Sequence, residues 1–190
     1  AYSSKASVQI DAAIFEKAFS NFEERFDTIH GGFGSAPKFP SPHNLMFLLR
    51  YWKRSGNQEA LNIAAKTLTG MRLGGIFDQV GFGFHRYSTD SKWLVPHFEK
   101  MLYDQALLTM AYTEAYQATG EALFGTTADE IITYLLRDMT SPDGGLYSAE
   151  DADSEGVEGK YYLWTHEEVV NILGAEDAAL ICDLFNVSDE

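Results

Sequence analysis

The stretch from Gly74 to Asp104 reads GGIFDQVGFGFHRYSTDSKWLVPHFEKMLYD and connects two helical patterns. Helix connections usually run about 2–8 residues, so a loop of this length is typical of a functional segment. Within it, GFGFHRY and KWLVPHF flank residues 88–91, which predicts a short β-hairpin. Pro96 is expected in the first turn of the helix that follows. His97, Glu99 and Asp104 are therefore predicted to cluster where this loop enters a helix.

Hydrophobic periodicity predicts a chain that is helical apart from its long loops. The dipeptide Ser41-Pro42 gives the second helix an N-cap followed by proline, and residues 165–168 form a capping box for the sixth. The fourth helix is apolar nearly all round, which indicates burial on most sides. A second hairpin is expected after the fifth helix, with residues 161–164 (YYLW) as its return strand. The predicted helices span 8–26, 42–55, 58–72, 99–119, 121–139, 166–174 and 175–186.

An internal repeat organises these helices. Three amphipathic helices end in two glycines and an apolar residue, at Gly31-Gly32-Phe33, Gly74-Gly75-Ile76 and Gly144-Gly145-Leu146. Because alternating helices return every second connection to the same end, all three glycine-rich loops should lie on one rim. Repeated helical hairpins with long loops on one face are typical of a solenoid or a closed α/α ring. The unequal repeat lengths oppose a regular solenoid.

Polar side chains that could bind a ligand or transfer a proton concentrate in these three loops. Carboxylates and histidines that converge on a cleft among aromatic rings suit sugar chemistry, in which rings stack, acids bind hydroxyls and one group moves a proton. Taken singly, each histidine is more often a cap or a core hydrogen-bonding group, and each carboxylate more often solvates the surface. The clusters are His30, Lys38 and His43; Asp78, His85, Arg86, His97, Glu99 and Asp104; and Glu150, Asp151, Asp153, Glu155 and Glu158.

The net charge, the length of the apolar runs and the cysteine count argue against several classes of partner and protein. A net charge of −14 repels nucleic acid and anionic membranes, so neither is an expected partner. Solubility is the ordinary reason for such acidity, and the alternative is that some carboxylates serve a polar, uncharged substrate or a cation. No run approaches the roughly 18 apolar residues that span a bilayer. Cys182 is the single cysteine, which excludes an internal disulfide and fits a cytoplasmic location.

Asp151, Asp153, Glu155 and Gly156 imitate the start of a calcium-binding loop. The twelfth position holds Tyr162 where a bidentate glutamate is needed. An acidic turn that binds substrate or shapes a hairpin is the alternative, and we expect no metal and no cofactor.

Three motifs carry a resemblance to a known family: GGFGSAPKFP, KWLVPHFEKMLYDQALL and GGLYSAEDADSEGVEGKYYLWT. Together they resemble the YyaL-like, spermatogenesis-associated protein 20 family, in which a thioredoxin-like domain precedes an α/α toroid. The resemblance implies an all-α fold, a six-hairpin (α/α)6-type toroid related to N-acylglucosamine 2-epimerase, here with short β-hairpins in the long loops. Residues 1–190 are expected to form one domain, roughly the first half of such a toroid, without the thioredoxin-like domain. Uncovered toroid edges would then promote self-association.

The function predicted from the rim and the resemblance is carbohydrate-active, epimerase- or glycosidase-like, with a sugar or glycan as partner. The alternative is a non-catalytic scaffold that binds a protein or peptide for an attached thioredoxin-like domain. The predicted catalytic residues are His97, Glu99, Asp104, Glu150 and Asp151. The predicted substrate-binding residues are Lys38, Asp78, His85, Arg86, Trp93, Phe98 and Tyr103.

Overall fold

The computed structural model describes residues 11–185 and 187. These residues fall into two compact units, the first ending at Glu150 and the second beginning at Asp151. The assignment of all 190 residues to one toroid fragment stays a prediction.

Five helices build the first unit. Within it α2 packs against α3 and α4, and α4 packs against α5. The core between them is aliphatic and aromatic, and it includes the fully buried Leu45, Leu68, Leu108 and Tyr112. The helices are α1 Ala13–Arg25, α2 Pro42–Ser55, α3 Gln58–Leu73, α4 Leu102–Thr119 and α5 Ala122–Arg137.

Most predicted helix boundaries agree with the structure to within a few residues. Helix α1 ends one residue earlier than predicted, and residues 8–10 of its predicted start lie outside the described residues. Helix α2 begins at Pro42 as expected, but Ser41 does not cap it. The backbone of Ser41 is left-handed, with φ 44° and ψ 54°, and its side chain makes no cap hydrogen bond. Proline at the first position is the helix-start signal that the structure confirms.

Helix α4 packs between α2 and α5, and its polar side chains form hydrogen bonds within the protein. Its Gln105 side chain is fully buried. The Gln105 amide accepts a hydrogen bond from Phe84 N at 2.8 Å and donates one to Phe84 O at 2.6 Å. The hydroxyls of Thr109 and Thr113 donate back to carbonyls four residues earlier. These polar side chains of α4 thereby have hydrogen-bond partners inside the protein.

Short strands connect the loops. Strand β1 (Tyr87–Ser88) pairs antiparallel with β2 (Pro96–His97), which confirms the hairpin predicted around residues 88–91. Strand β3 (Lys100–Met101) pairs antiparallel with β4 (Ala149–Glu150). The prediction that Pro96 opens a helix is wrong, because residues 96–101 are drawn into both pairings and α4 starts only at Leu102. Helical periodicity cannot detect this, since the competing partner of β3 lies about 50 residues away in sequence.

The second unit is small. Strands β5 (Asp153–Ser154) and β6 (Val157–Glu158) form a tight antiparallel hairpin. The predicted return strand at residues 161–164 is wrong, because Tyr162 N and Leu163 N both donate to Gly159 O and close a turn. Helices α6 (His166–Leu173) and α7 (Ala175–Phe185) follow, packed on each other. The capping box of Thr165 and Glu168 is confirmed, and the predicted helix end at Asn186 lies outside the described residues.

Gly75 marks a close approach that tests the loop arrangement. A Cβ at this position would lie 2.0 Å from Leu94 O, a backbone atom that cannot rotate away. We expect Gly75→Ala to destabilise the fold by about 3 kcal/mol, since relief requires a backbone shift. Gly145→Ala is the matched control, because its new Cβ would meet only Ser141 Oγ at 3.6 Å. Urea denaturation of the two variants measures the difference, and equal stabilities would contradict the loop arrangement.

Candidate functional site

The first glycine-rich loop, residues 26–41, is held by one buried lysine. Lys38 is fully buried, and its three ammonium protons have three acceptors. The ammonium donates to Asp27 Oδ2 at 2.6 Å, to Gly31 O at 2.9 Å and to Ser91 O at 2.7 Å. Burial would raise the pKa of Asp27, but hydrogen bonds from Lys38 and from the amides of residues 29 and 30 outweigh it and lower that pKa to about 2.

The second loop, residues 74–101, repeats this construction. Lys100 Nζ donates to Asp78 Oδ2 at 2.8 Å and to Phe82 O at 2.9 Å. Both acceptors match the first loop, because each lysine bonds an aspartate and the carbonyl four residues after it. Each ammonium also lies over an aromatic ring, Trp93 for Lys38 and Tyr134 for Lys100. We name the two pairs, Asp27–Lys38 and Asp78–Lys100, the aspartate–lysine latches.

Backbone pairing joins each loop to the next one. Lys38 and Ser88 exchange two hydrogen bonds, Lys38 N to Ser88 O at 2.8 Å and Ser88 N to Lys38 O at 2.9 Å. Lys100 lies opposite Glu150 in the β3–β4 pair. The structure thus brings together the part of all three glycine-rich loops that lies in the first unit. His97 is three residues from Lys100, so its Cα lies within roughly 16 Å of that of Glu150.

Five of the predicted site residues meet beside β2 and β3. Arg86 Nη1 donates to Glu99 Oε2 at 2.8 Å, and Arg86 N donates to Glu99 O at 2.7 Å. His97 Nε2 lies 3.6 Å from Glu99 Oε2. Hydrogen bonding to Tyr103 and Glu99 raises the pKa of Arg86. We call this group, completed by Asp104, the loop-2 cluster; its members are Arg86, His97, Glu99, Tyr103 and Asp104.

Asp104 is the unusual member of the cluster. It lies in the first turn of α4 and is 7% exposed. Its carboxylate makes no hydrogen bond to the described residues, whereas Glu99 is held by Arg86. Burial raises the pKa of Asp104 to about 6, and the charge of Glu99 adds to the rise while that of Arg86 opposes it. A carboxyl of this pKa can hold or release a proton near neutral pH.

Other predicted residues lie in the interior. Lys38 and Trp93 are buried, and the Trp93 indole donates to His30 O at 3.0 Å. Lys38 has an acceptor for each of its three ammonium protons, and the Trp93 ring lies in the core. Asp78 accepts a hydrogen bond from Lys100 in the second latch. These contacts stabilise the fold, and substrate binding by the three residues stays a prediction.

His85 and Phe98 form the inner wall of the same region. His85 Nδ1 lies 3.0 Å from Phe98 O, and the two rings meet edge to face at 5.3 Å. Burial first, and the charge of Lys100 second, lower the pKa of His85 to about 4. The imidazole is therefore neutral near pH 7 and orients Phe98 instead of carrying a charge.

The two remaining predicted acids have hydrogen-bond partners outside the loop-2 cluster. Glu150 accepts a hydrogen bond from the Tyr134 hydroxyl at 2.7 Å, which directs its carboxylate towards α5. Asp151 belongs to the second unit, where its carboxylate accepts from Asp153 N at 3.1 Å. Among residues 11–185 and 187, no group of three or more His, Cys, Asp or Glu side chains is placed to hold a metal ion. No helix in this part of the chain is long and apolar enough to cross a bilayer.

Two aromatic residues were missed by the sequence analysis. Tyr87 stacks on His97 with ring centroids 5.0 Å apart, and the ring of Phe39, from the first loop, lies 4.9 Å from that of Tyr87. The hairpin register places Tyr87 directly opposite His97, so cross-strand pairing was the signal that could have found Tyr87. Phe39 follows Lys38, and its position depends on the pairing of Lys38 with Ser88.

Comparisons with known proteins agree on the fold. Spermatogenesis-associated protein 20 of Homo sapiens is 46% identical over 172 residues, which cover 85% of this chain and 22% of that protein. The chain thus spans about a fifth of the length of the curated relatives it matches. No protein-family model matches the chain.

Solved structures of sugar-processing proteins share the architecture. Cellobiose 2-epimerase from Bacillus thermoamylovorans B4167 superposes with a TM-score of 0.65 at 12% identity, covering 91% of this chain and 53% of that one. An unsaturated glucuronyl hydrolase specific for heparin gives 0.61 at 16% identity, covering 92% and 53%. These likenesses show that the chain is a mostly helical protein of the (α/α)6-toroid type, as predicted.

Proposed function

This chain belongs to the spermatogenesis-associated protein 20 family, and from that premise we propose that it is carbohydrate-active, with its site at the loop-2 cluster. The observation that carries the proposal is Asp104. It is a buried carboxyl with a pKa of about 6, beside an ion-paired glutamate, in a fold shared with sugar epimerases. Strongly shifted carboxyls in such surroundings are candidates for acid–base catalysis.

The roles follow from the different surroundings of the two acids. Asp104, which has no competing hydrogen bond from the described residues, moves the proton. Glu99 is paired with Arg86 at 2.8 Å and binds a sugar hydroxyl. His97 is the second proton-transfer group, at 3.6 Å from the same carboxylate. Two acids in such different surroundings suit both glycoside hydrolysis and the acid–base steps of epimerisation.

Two further residues of the first unit complete the proposed site. Tyr103, which is half exposed, offers a ring on which a sugar can stack. Glu150 stays a proposed hydroxyl ligand. The catalytic role of Asp151, which belongs to the second unit, and a cytoplasmic location stay predictions. No residue is assigned to a metal or cofactor.

Asp104→Asn tests the catalytic role directly. We expect turnover of a responsive sugar to fall by about 100-fold or more, because general acid–base groups contribute 10²–10⁴. The assay screens neutral mono- and disaccharides for a rise in melting temperature and then for product by NMR. His97→Ala should also lower turnover. Asp129→Asn, at an exposed aspartate on α5, is the matched control and should leave turnover unchanged. Wild-type turnover in Asp104→Asn would contradict the proposal.

A second candidate function has its own observation in the second unit. Residues 161–164 expose three large side chains, with Tyr161 75%, Leu163 61% and Trp164 56% exposed. Exposed aromatic clusters are typical of protein interfaces, so these residues favour a scaffold that binds a protein, such as a thioredoxin-like domain. Under this alternative no sugar stabilises the chain in the same screen. Self-association is also proposed, on the exposed Leu180 and Leu184 of α7, and light scattering measures it.

A further inference from the structure

Arg86 is the permanent cation of the loop-2 cluster, and its guanidinium forms an ion pair with Glu99. Its side chain is 40% exposed and that of Glu99 25%, so both reach solvent where a ligand would arrive. The pair is doubly fixed, since the backbone amide of Arg86 also donates to the carbonyl of Glu99. A guanidinium paired with a carboxylate at 2.8 Å is largely neutralised, so it attracts a second carboxylate less strongly than an unpaired arginine does.

The lysines of the first and second loops are not available to bind an anionic ligand either. Lys38 and Lys100 are buried and paired with their latch aspartates. The acidic groups left at the cluster are Glu99, paired with Arg86, and Asp104, and they lie beside the uncharged ring of Tyr103 and the imidazole of His97. An anionic ligand would be repelled by these acidic groups at short range, and Arg86, which could bind it, is already paired with Glu99.

We propose that Glu99 is a specificity-determining residue that restricts the loop-2 cluster to uncharged sugars by neutralising Arg86 and repelling anionic ones. This inference rests on the proposed function and adds the substrate class. Removing the Glu99 charge frees the Arg86 guanidinium and removes the share of the repulsion that Glu99 contributes. The site then accepts a sugar carboxylate or phosphate, for which arginine has the matching planar fork of donors.

Matched ligands isolate the effect of charge. Glucose, galactose and mannose are each compared with the corresponding uronic acid, which differs by one carboxylate. For the wild-type chain at pH 7.5 and low salt, we expect titration calorimetry to show each neutral sugar binding at least about tenfold more tightly than its uronate. In Glu99→Gln the ratio should fall by at least about tenfold, because an unpaired arginine now attracts the uronate.

The double variant assigns the gain to Arg86. Arg86→Gln/Glu99→Gln should lose the uronate binding that Glu99→Gln acquires, and circular dichroism shows whether each variant keeps its helices. Wild-type binding of uronates as tight as that of neutral sugars would overturn the inference and leave the proposed function intact. Unchanged ratios in a folded Glu99→Gln would overturn it too. Binding of no sugar at all, neutral or charged, would overturn both.

Discussion

Asp104→Asn should stabilise the protein by about 3 kcal/mol at pH 8 relative to its effect at pH 4. In the wild type the folded-state pKa of Asp104 is about 6, above the ordinary value of 3.8 for an aspartate. The stability contributed by the neutral carboxyl is therefore fully present below pH 3.8 and is lost as the pH rises through 6. Two pKa units correspond to about 3 kcal/mol, and asparagine cannot ionise, so the variant avoids this loss.

The comparison between two pH values removes the packing effect of the new amide, which is the same at both. Urea denaturation at pH 4, 5, 6, 7 and 8 gives the two stability curves, which should diverge between pH 4 and 7 and run parallel above. Asp129→Asn, on exposed surface, should give a pH-independent difference. Parallel curves for Asp104→Asn across the whole range would show that this carboxyl has an ordinary pKa and would remove the main support for its catalytic role. A gain in stability with a loss of turnover is the trade-off expected of a functional group.

Lys38→Met and Lys100→Met should each destabilise the fold by about 3–5 kcal/mol. Each variant leaves a mostly buried aspartate, Asp27 or Asp78, without its cation, and an uncompensated buried charge is costly. Arg50→Met is the control in the same unit, since the Arg50–Glu114 pair is largely exposed and should contribute less than about 1 kcal/mol.

Double variants test the pairing itself. Asp27→Ala/Lys38→Met should be less destabilising than the sum of its single changes, because the second change removes the orphaned charge. The latch also predicts an acid limit. The folded-state pKa of Asp27 is lowered to about 2 from 3.8, so the stability it contributes is present above pH 3.8 and lost as the pH falls through 2. The penalty of Lys38→Met should shrink over that interval. Additive single and double changes would contradict the latch.

Local signals in the sequence were enough to predict the helices. The apolar spacing of α2 and α3, proline at Pro42 and the capping box at Thr165 each depend on neighbouring residues only, and each agrees with the structure. The errors occur where a distant segment competes. Pro96 pairs with Ser88, and Lys100 pairs with Glu150, so the chain from residue 96 to 101 does not start the helix. Glu150 lies 50 residues from Lys100, so a short stretch of sequence around Lys100 does not include its partner.

Residue type and position were enough to nominate the residues of the proposed site, but not to predict their surroundings. The His97–Asp104 segment was identified from residue type and position, and Arg86 from its loop. That Asp104 would be the unpartnered acid, while Glu99 binds Arg86, depends on side-chain geometry that residue types do not determine. The aspartates of the two latches share a sequence pattern, because Phe-Asp opens both FDTIHGG and FDQVGFG. Their lysines follow at different spacings of 11 and 22 residues, so the pairing itself could not be predicted from that pattern.

The pairing of each glycine-rich loop with the following one has a consequence for how the chain opens. Lys38 is tied to Ser88 by two hydrogen bonds, and Lys100 to Glu150 through a ladder. Neighbouring hairpins then share a free-energy term, so the stability of one depends on whether the next is folded. Amide protons at Lys38 and Ser88 should therefore exchange with solvent at the same rate and through the same opening event, although 50 residues separate them in the chain.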